Sequence, residues 1–157
     1  MLLTVISGGQ TGVDRAALDV ALEVGLPIGG WVPKGRLAED GVIPARYSGL
    51  READSPDPSE RTMLNVRDSD ATLIISRGPL AGGSLLTRGA ATRLGRPVLH
   101  LDLTNKSDAD AAAEVRAWLR AVRPNILNVA GPRASEDAAI GGRAAALLGD
   151  ALRETEA

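Results

Sequence analysis

Five short apolar runs recur along the chain with helical patterns between them: "LLTVI" (2–6), "PIGGWV" (27–32), "ATLIIS" (71–76), "PVLHLD" (97–102) and "NILNVAG" (125–131). Strands separated by helices need crossover connections, and crossovers impose parallel pairing. None of the runs alternates cleanly between apolar and polar residues, as expected where helices cover both faces of a sheet. The chain therefore reads as a doubly wound α/β domain, with a mostly parallel sheet of five or more strands and helices on both faces. No break in composition and no internal repeat divides it, so residues 1–157 read as one domain.

After the first run, Val13, Ala17, Val20 and Val24 recur at helical spacing, and Gly25 with Pro27 stops that helix. Prolines and glycines recur through residues 33–58, which read as a long loop. Ser59 is the expected cap of a short helix ending near Asp68. Ser84 is the expected cap of a helix over 84–95. A helix from Asp108 carries Val115, Trp118 and Leu119 on its apolar side and stops at Pro124. A last helix is expected from Ser135 to Leu152, with residues 153–157 frayed.

Ligands of open parallel sheets settle beyond the carboxyl ends of the strands, where the strand order reverses. The residues following each run are small or polar: "SGGQTG" (7–12), "PKG" (33–35), "AGGS" (81–84) and "AGPRAS" (130–135). Glycines let a ligand approach backbone N–H groups, and helix N-termini add unpaired donors and partial positive charge. Lys34, Arg77 and Arg133 would add full charges, so the pattern points to a phosphate-bearing ligand. "SGGQTG" matches neither the GxGxxG nor the GxxxxGK[ST] spacing, so it implies neither NAD binding nor ATP hydrolysis. Asp14 either complements the helix dipole or faces a ligand. Trp31 reads as core, with stacking on a planar ring as the alternative, and Tyr47 is a weaker stacking candidate. His100 reads as a satisfied core residue.

Composition removes other classes. There is no cysteine and one histidine, so thiolate chemistry, disulfides and a protein-held transition metal are not expected. A net charge of −2 argues against a nucleic-acid-binding surface. No run approaches the ~20 apolar residues of a membrane helix, and no basic segment precedes the first run, so a cytoplasmic location is expected.

"ISGGQTGVDRAALDVAL" (6–22), "GWVPKGRLAEDGVIPARY" (30–47), "RTMLNVRDSDATLII" (61–75), "GGSLLT" (82–87) and "NVAGPRAS" (128–135) resemble the molybdenum cofactor carrier protein family, in the same order and over nearly the whole chain. The resemblance implies a Rossmann-like domain of the LOG-like, or SLOG, nucleotide-binding superfamily. It implies binding of molybdenum cofactor, a molybdopterin with a terminal phosphate, by a homo-oligomer, dimer or tetramer, with molybdoenzymes as recipients. On that reading Gly8, Gly9, Gln10, Thr11 and Gly12 form one phosphate-facing loop, and Gly82, Gly83, Ser84 and Thr87 a second. Gly131 and Arg133 complete the anion site and Lys34 closes it, with no catalytic residue and no metal ligand. The related phosphoribohydrolases carry PGGxGTxxE. The matching stretch here, "PLAGGSLLTRGAA" (79–91), keeps the paired glycines and Thr87 but has no glutamate at the end of TxxE. Two other readings stay open: a nucleotide-cleaving enzyme of the phosphoribohydrolase type using Glu39, Asp40 or Asp14 as acid or base, and a nucleotide-sensing module.

Overall fold

A computed structural model describes residues 3–155, with side chains through residue 153. The elements run β1 (Thr4–Ile6), α1 (Val13–Val24), β2 (Ile28–Val32), β3 (Leu37–Ala38), β4 (Gly41–Val42), β5 (Leu50–Glu52), α2 (Pro58–Arg67), β6 (Ala71–Ser76), α3 (Gly82–Arg93), β7 (Val98–Asp102), α4 (Asp108–Val122), β8 (Ile126–Ala130) and α5 (Ile140–Thr155). Six strands form one sheet in the order β5-β2-β1-β8-β6-β7, and every pairing in it is parallel. This is the doubly wound α/β architecture that the alternating pattern predicts.

Strand residues of odd number, including Val5, Leu73, Ile75, Leu127 and Val129, pack with α1, α4 and α5 in the main core. α2 and α3 form a smaller cluster around Val66, Ala90 and Ala91. Fully buried β6 shows why alternation is absent: helices lie on both of its faces. The strand order reverses around β1, β8 and β6. β1 leads through α1 to β2 on one side, while β6 leads through α3 to β7 on the other.

Several boundaries differ from the sequence expectation. The stretch 33–58 contains an antiparallel β3–β4 pair and the sixth sheet strand, β5, beside β2. These strands have two or three residues, too few for a periodicity to register. Asp57 caps α2 in place of Ser59: its side chain accepts from the Ser59 N–H at 3.0 Å, with Pro58 in the first helical position. Ala81, extended and without a side-chain bond, precedes α3, and Ser84 sits buried inside the first turn.

The last helix starts at Ile140 rather than Ser135. The Ala134 N–H is drawn to Thr11 Oγ1 at 3.0 Å and the Ser135 N–H to Glu39 Oε1 at 3.1 Å. Tertiary acceptors thus divert the donors that a helix start would leave to its own cap. Gly25 closes α1 in the left-handed conformation, as its position suggests. α5 is described through Thr155; residues 1, 2, 156 and 157, the last two within the end expected to fray, lie outside the described residues.

Candidate functional site at the strand-order reversal

The loop after β1 is held from several directions. Ser7, buried at the strand end, donates through Oγ to the Asp14 carbonyl at 2.9 Å and accepts the Gly9 N–H at 3.3 Å. The Gln10 side-chain oxygen accepts from the N–H groups of Thr11 (3.0 Å) and Glu39 (2.9 Å). Thr11 Oγ1 donates to Glu39 Oε1 at 2.5 Å. Arg15 grips Asp40 through both terminal nitrogens, at 2.6 and 3.1 Å, and donates to the Gly9 carbonyl. The β3–β4 segment is thereby fastened to the first loop by Glu39 and Asp40.

Where the order reverses lies a cleft of about 40 Å³, between the ends of β1 and β8 and the first turns of α3. Gln10 and Asp14 reach it from the first junction, and Gly83, Ser84 and Thr87 from the third. Gly131, Arg133 and Glu136 follow β8, and Arg61 enters from α2. No side chain caps α3; the Ser84 N–H bonds back to the Ala81 carbonyl at 3.2 Å, and Gly83 and Ser84 of its first turn line the cleft. Arg61 lies flat over Gly8, so close that a Cβ there would sit 2.6 Å from its Nε. That Nε is buried and has no hydrogen-bond partner.

Asp14 is 4 % exposed. One carboxylate oxygen accepts the Gln10 N–H at 3.3 Å, and Arg61 Nη2 stands 4.0 Å from the same oxygen, beyond hydrogen-bonding distance. Burial raises its pKa to about 6, against the opposing pull of Arg61, Arg15 and Arg133. Arg133 pairs with Glu136 at 3.1 Å, and Arg77 pairs with Asp137 at 3.2 Å. The cleft therefore mixes charges and is not uniformly positive.

Of the expected site residues, Gln10, Gly83, Ser84, Thr87, Gly131 and Arg133 meet in this cleft, and Gly8 lies directly under Arg61. Thr11 and Gly12 line a second concavity between α1 and α5. Gly9 packs against Ile43 and Val32. Lys34 is exposed after β2, bonded through its backbone N–H to the Ser55 carbonyl, and it does not line the cleft; neither does Gly82. α5 starts too late for a helix N-terminus to follow β8 directly.

Glu39 and Asp40 are committed to Thr11, Ser135 and Arg15, which leaves Asp14 as the cleft carboxylate among the three candidates. Tyr47 is fully buried and unavailable for stacking, its hydroxyl donating to Asp19 at 2.6 Å. Trp31 is partly exposed, and its ring N–H donates to Asp68 at 2.8 Å. His100 pairs with Ser76 Oγ at 2.7 Å. Arg61 is the residue that sequence reasoning missed. It falls on a short helix whose side of the sheet no periodicity reveals.

Among the described residues no helix is long and apolar enough to cross a membrane, and no group of three or more His, Asp or Glu could hold a metal ion. Residues 5–152 match the model of the circularly permutated YpsA SLOG family. The chain is similar to a solved structure, the "Putative molybdenum carrier protein" of Syntrophus aciditrophicus SB. The two share 50 % identity over 96 % of this chain and 95 % of that one, with a TM-score of 0.93. No curated protein matches the chain.

Proposed function

The chain belongs to the circularly permutated YpsA SLOG family, and from that membership we propose that it is a binding or carrier protein for a phosphate-bearing cofactor held in the cleft at the strand-order reversal. One observation carries this reading: an uncapped helix N-terminus and two arginines, one with a buried unpartnered Nε, converge on one small space. Backbone donors at a helix start and guanidinium groups are the chemistry that holds a phosphate. Gly83 leaves the approach open, since a Cβ there would meet nothing within 4 Å.

The solved relative is named a molybdenum carrier, and with the motif resemblance this supports molybdenum cofactor as the favoured ligand. Its terminal phosphate suits the donor set of the cleft. A cytoplasmic location, a homo-oligomer and delivery to molybdoenzymes belong to the same reading. The test is thermal unfolding with molybdopterin and with nucleoside monophosphates in parallel. A ligand at 100 times its dissociation constant adds about 2.7 kcal/mol. Stabilisation by the pterin supports the carrier, while stabilisation by nucleotides alone overturns it in favour of a nucleotide sensor.

A second reading, cleavage of a nucleotide, is favoured by the placement of Asp14, a carboxylate in the cleft with a pKa near neutrality. Against it stands Ala90, fully buried where the resembling hydrolases carry their glutamate. Sustained release of free base from nucleoside monophosphates would decide for the enzyme.

A further inference from the structure

Asp14 poses a problem for any anion in this cleft. It contributes a buried carboxylate to a site whose other acid, Glu136, is paired with Arg133, beside the Ser84 and Thr87 hydroxyls and the Arg61 guanidinium. Its side chain is 6 % exposed, and one of its oxygens has no hydrogen-bond donor among the described residues. That oxygen belongs to a residue lining both the cleft and the smaller space beneath it. Two unprotonated anions cannot share such a place without repulsion, whereas an O–H···O⁻ bond between them is short and strong.

We propose that Asp14 sets the selectivity of the cleft, admitting a tetrahedral oxyanion that shares a proton with it, a phosphomonoester or inorganic phosphate, and rejecting fully ionised ones such as sulfate, molybdate or a phosphodiester. The inference rests on the anion-binding reading of the cleft given above. In the bound pair one proton lies between the Asp14 carboxylate and a phosphate oxygen. It arrives on the ligand, whose second ionisation lies near pH 6 for a phosphomonoester and about one unit higher for inorganic phosphate, or from solvent. A sulfate or a diester brings no proton near neutrality and must draw one onto Asp14 at a cost that grows with pH.

The charged groups facing Asp14 are consistent with this balance. Arg61 of α2, Arg15 of α1 and Arg133 after β8 favour its ionised form, and Glu136 after β8 offsets Arg133. α3 presents Ser84 and Thr87, which carry no charge. Burial outweighs the arginines and holds the carboxyl well above the ordinary aspartate range. A proton is thus available to the pair near physiological pH. For a carrier, the consequence is a preference for a terminal phosphate over a bridging one.

The experiment compares phosphate, sulfate and molybdate binding by calorimetry to the wild type and to Asp14→Asn. The wild type is expected to bind phosphate at least about tenfold more tightly than either other anion near pH 7, and Asp14→Asn to erase that preference. A measurement on the wild type alone needs no variant. Near pH 8, calorimetry in buffers of different ionisation enthalpy should show uptake of close to one proton per phosphate bound. Absence of uptake, or a selectivity unmoved by Asp14→Asn, overturns the proposal while leaving the anion site standing. If none of the three anions binds either protein at millimolar concentration, the anion site itself falls and the proposal with it.

Discussion

Gly12 and Pro132 meet so closely that a Cβ on Gly12 would lie 2.3 Å from the Pro132 carbonyl oxygen. Gly12 precedes α1 with φ 79 and ψ −129, a conformation reserved for glycine, and the Pro132 carbonyl accepts the Val13 N–H at 3.3 Å. This glycine is required by contact between two parts of the protein, the first junction and the last. Gly12→Ala is expected to destabilise the fold by at least about 3 kcal/mol, through strain and clash together. Urea unfolding measures it, and a cost below about 1 kcal/mol would mean that the two junctions separate easily.

Gly83 gives the opposite expectation. It lies in the first turn of α3, facing the cleft, with open space around any added Cβ. Gly83→Ala should leave stability unchanged or raise it by about 0.5–1 kcal/mol, since alanine is the better helix former. The methyl group should nonetheless weaken binding of a phosphate-bearing ligand. Parallel unfolding and binding titrations separate the two effects, and unaltered affinity would place the anion elsewhere.

The contrast between these glycines shows what the sequence could and could not reveal. Alternating apolar runs made the sheet and its helices legible, because burial on both faces leaves a mark in every central strand. Small residues follow the strands at the sheet's carboxyl edge, beside the cleft. They did not reveal which glycines serve the protein's own packing: a Cβ on Gly131 would lie 2.3 Å from the Ile75 carbonyl oxygen, and one on Gly8 would meet Arg61. Such approaches depend on tertiary placement. The same reason hid Arg61, on a helix that looks unremarkable until it crosses Gly8, and the roles of Glu39 and Asp40, which bind partners more than twenty residues distant.

Asp14 should make stability depend on pH in the direction opposite to a salt-bridged carboxylate. Its folded pKa, about 6, lies above its ordinary value of 3.8, so the folded state holds the extra proton between those values. Stability contributed by that proton is present below about pH 4 and is lost as pH rises through about 6. Asp14→Asn, which cannot ionise, should be more stable than the wild type at pH 7.5 by about 3 kcal/mol at most. The difference should fade as pH falls toward 4. Denaturant titrations of both proteins across that range test it, and a less stable variant at pH 7.5 would contradict the assignment.

Glu39 ties the β3–β4 segment to both the first junction and the turn after β8, through Thr11 and Ser135. Those bonds, Ser135 and Thr11 above all, hold its carboxyl below the ordinary glutamate range. The clamp is therefore intact above the unfolded pKa and is lost as pH falls through the lowered folded value. Glu39→Ala should release the segment locally. Hydrogen exchange should quicken at Glu39 itself and at Ala134 and Ser135, while the amides of β6 stay protected. Uniform acceleration across the sheet would show instead that Glu39 supports the whole fold.

The two cleft arginines should separate binding from stability. Arg133 pairs with Glu136 at the surface, where both side chains are more than 40 % exposed, and an exposed pair of this kind is worth about 0–1 kcal/mol. Arg133→Ala should therefore leave the fold within about 0.5 kcal/mol of wild type while weakening binding of a phosphate-bearing ligand. Arg61 is 13 % exposed and is the nearest cation to the Asp14 carboxylate. Arg61→Ala removes the largest influence opposing burial, so the Asp14 pKa should rise further and unfolding should become easier by about 1–3 kcal/mol at pH 7.5. Because a protonated Asp14 no longer needs its cation, that penalty should shrink toward pH 5. Unfolding titrations of the two variants at both pH values, beside binding measurements at pH 7, test the pair together. A penalty for Arg61→Ala that stays constant with pH would show that the arginine stabilises the fold through its packing over Gly8 and not through Asp14.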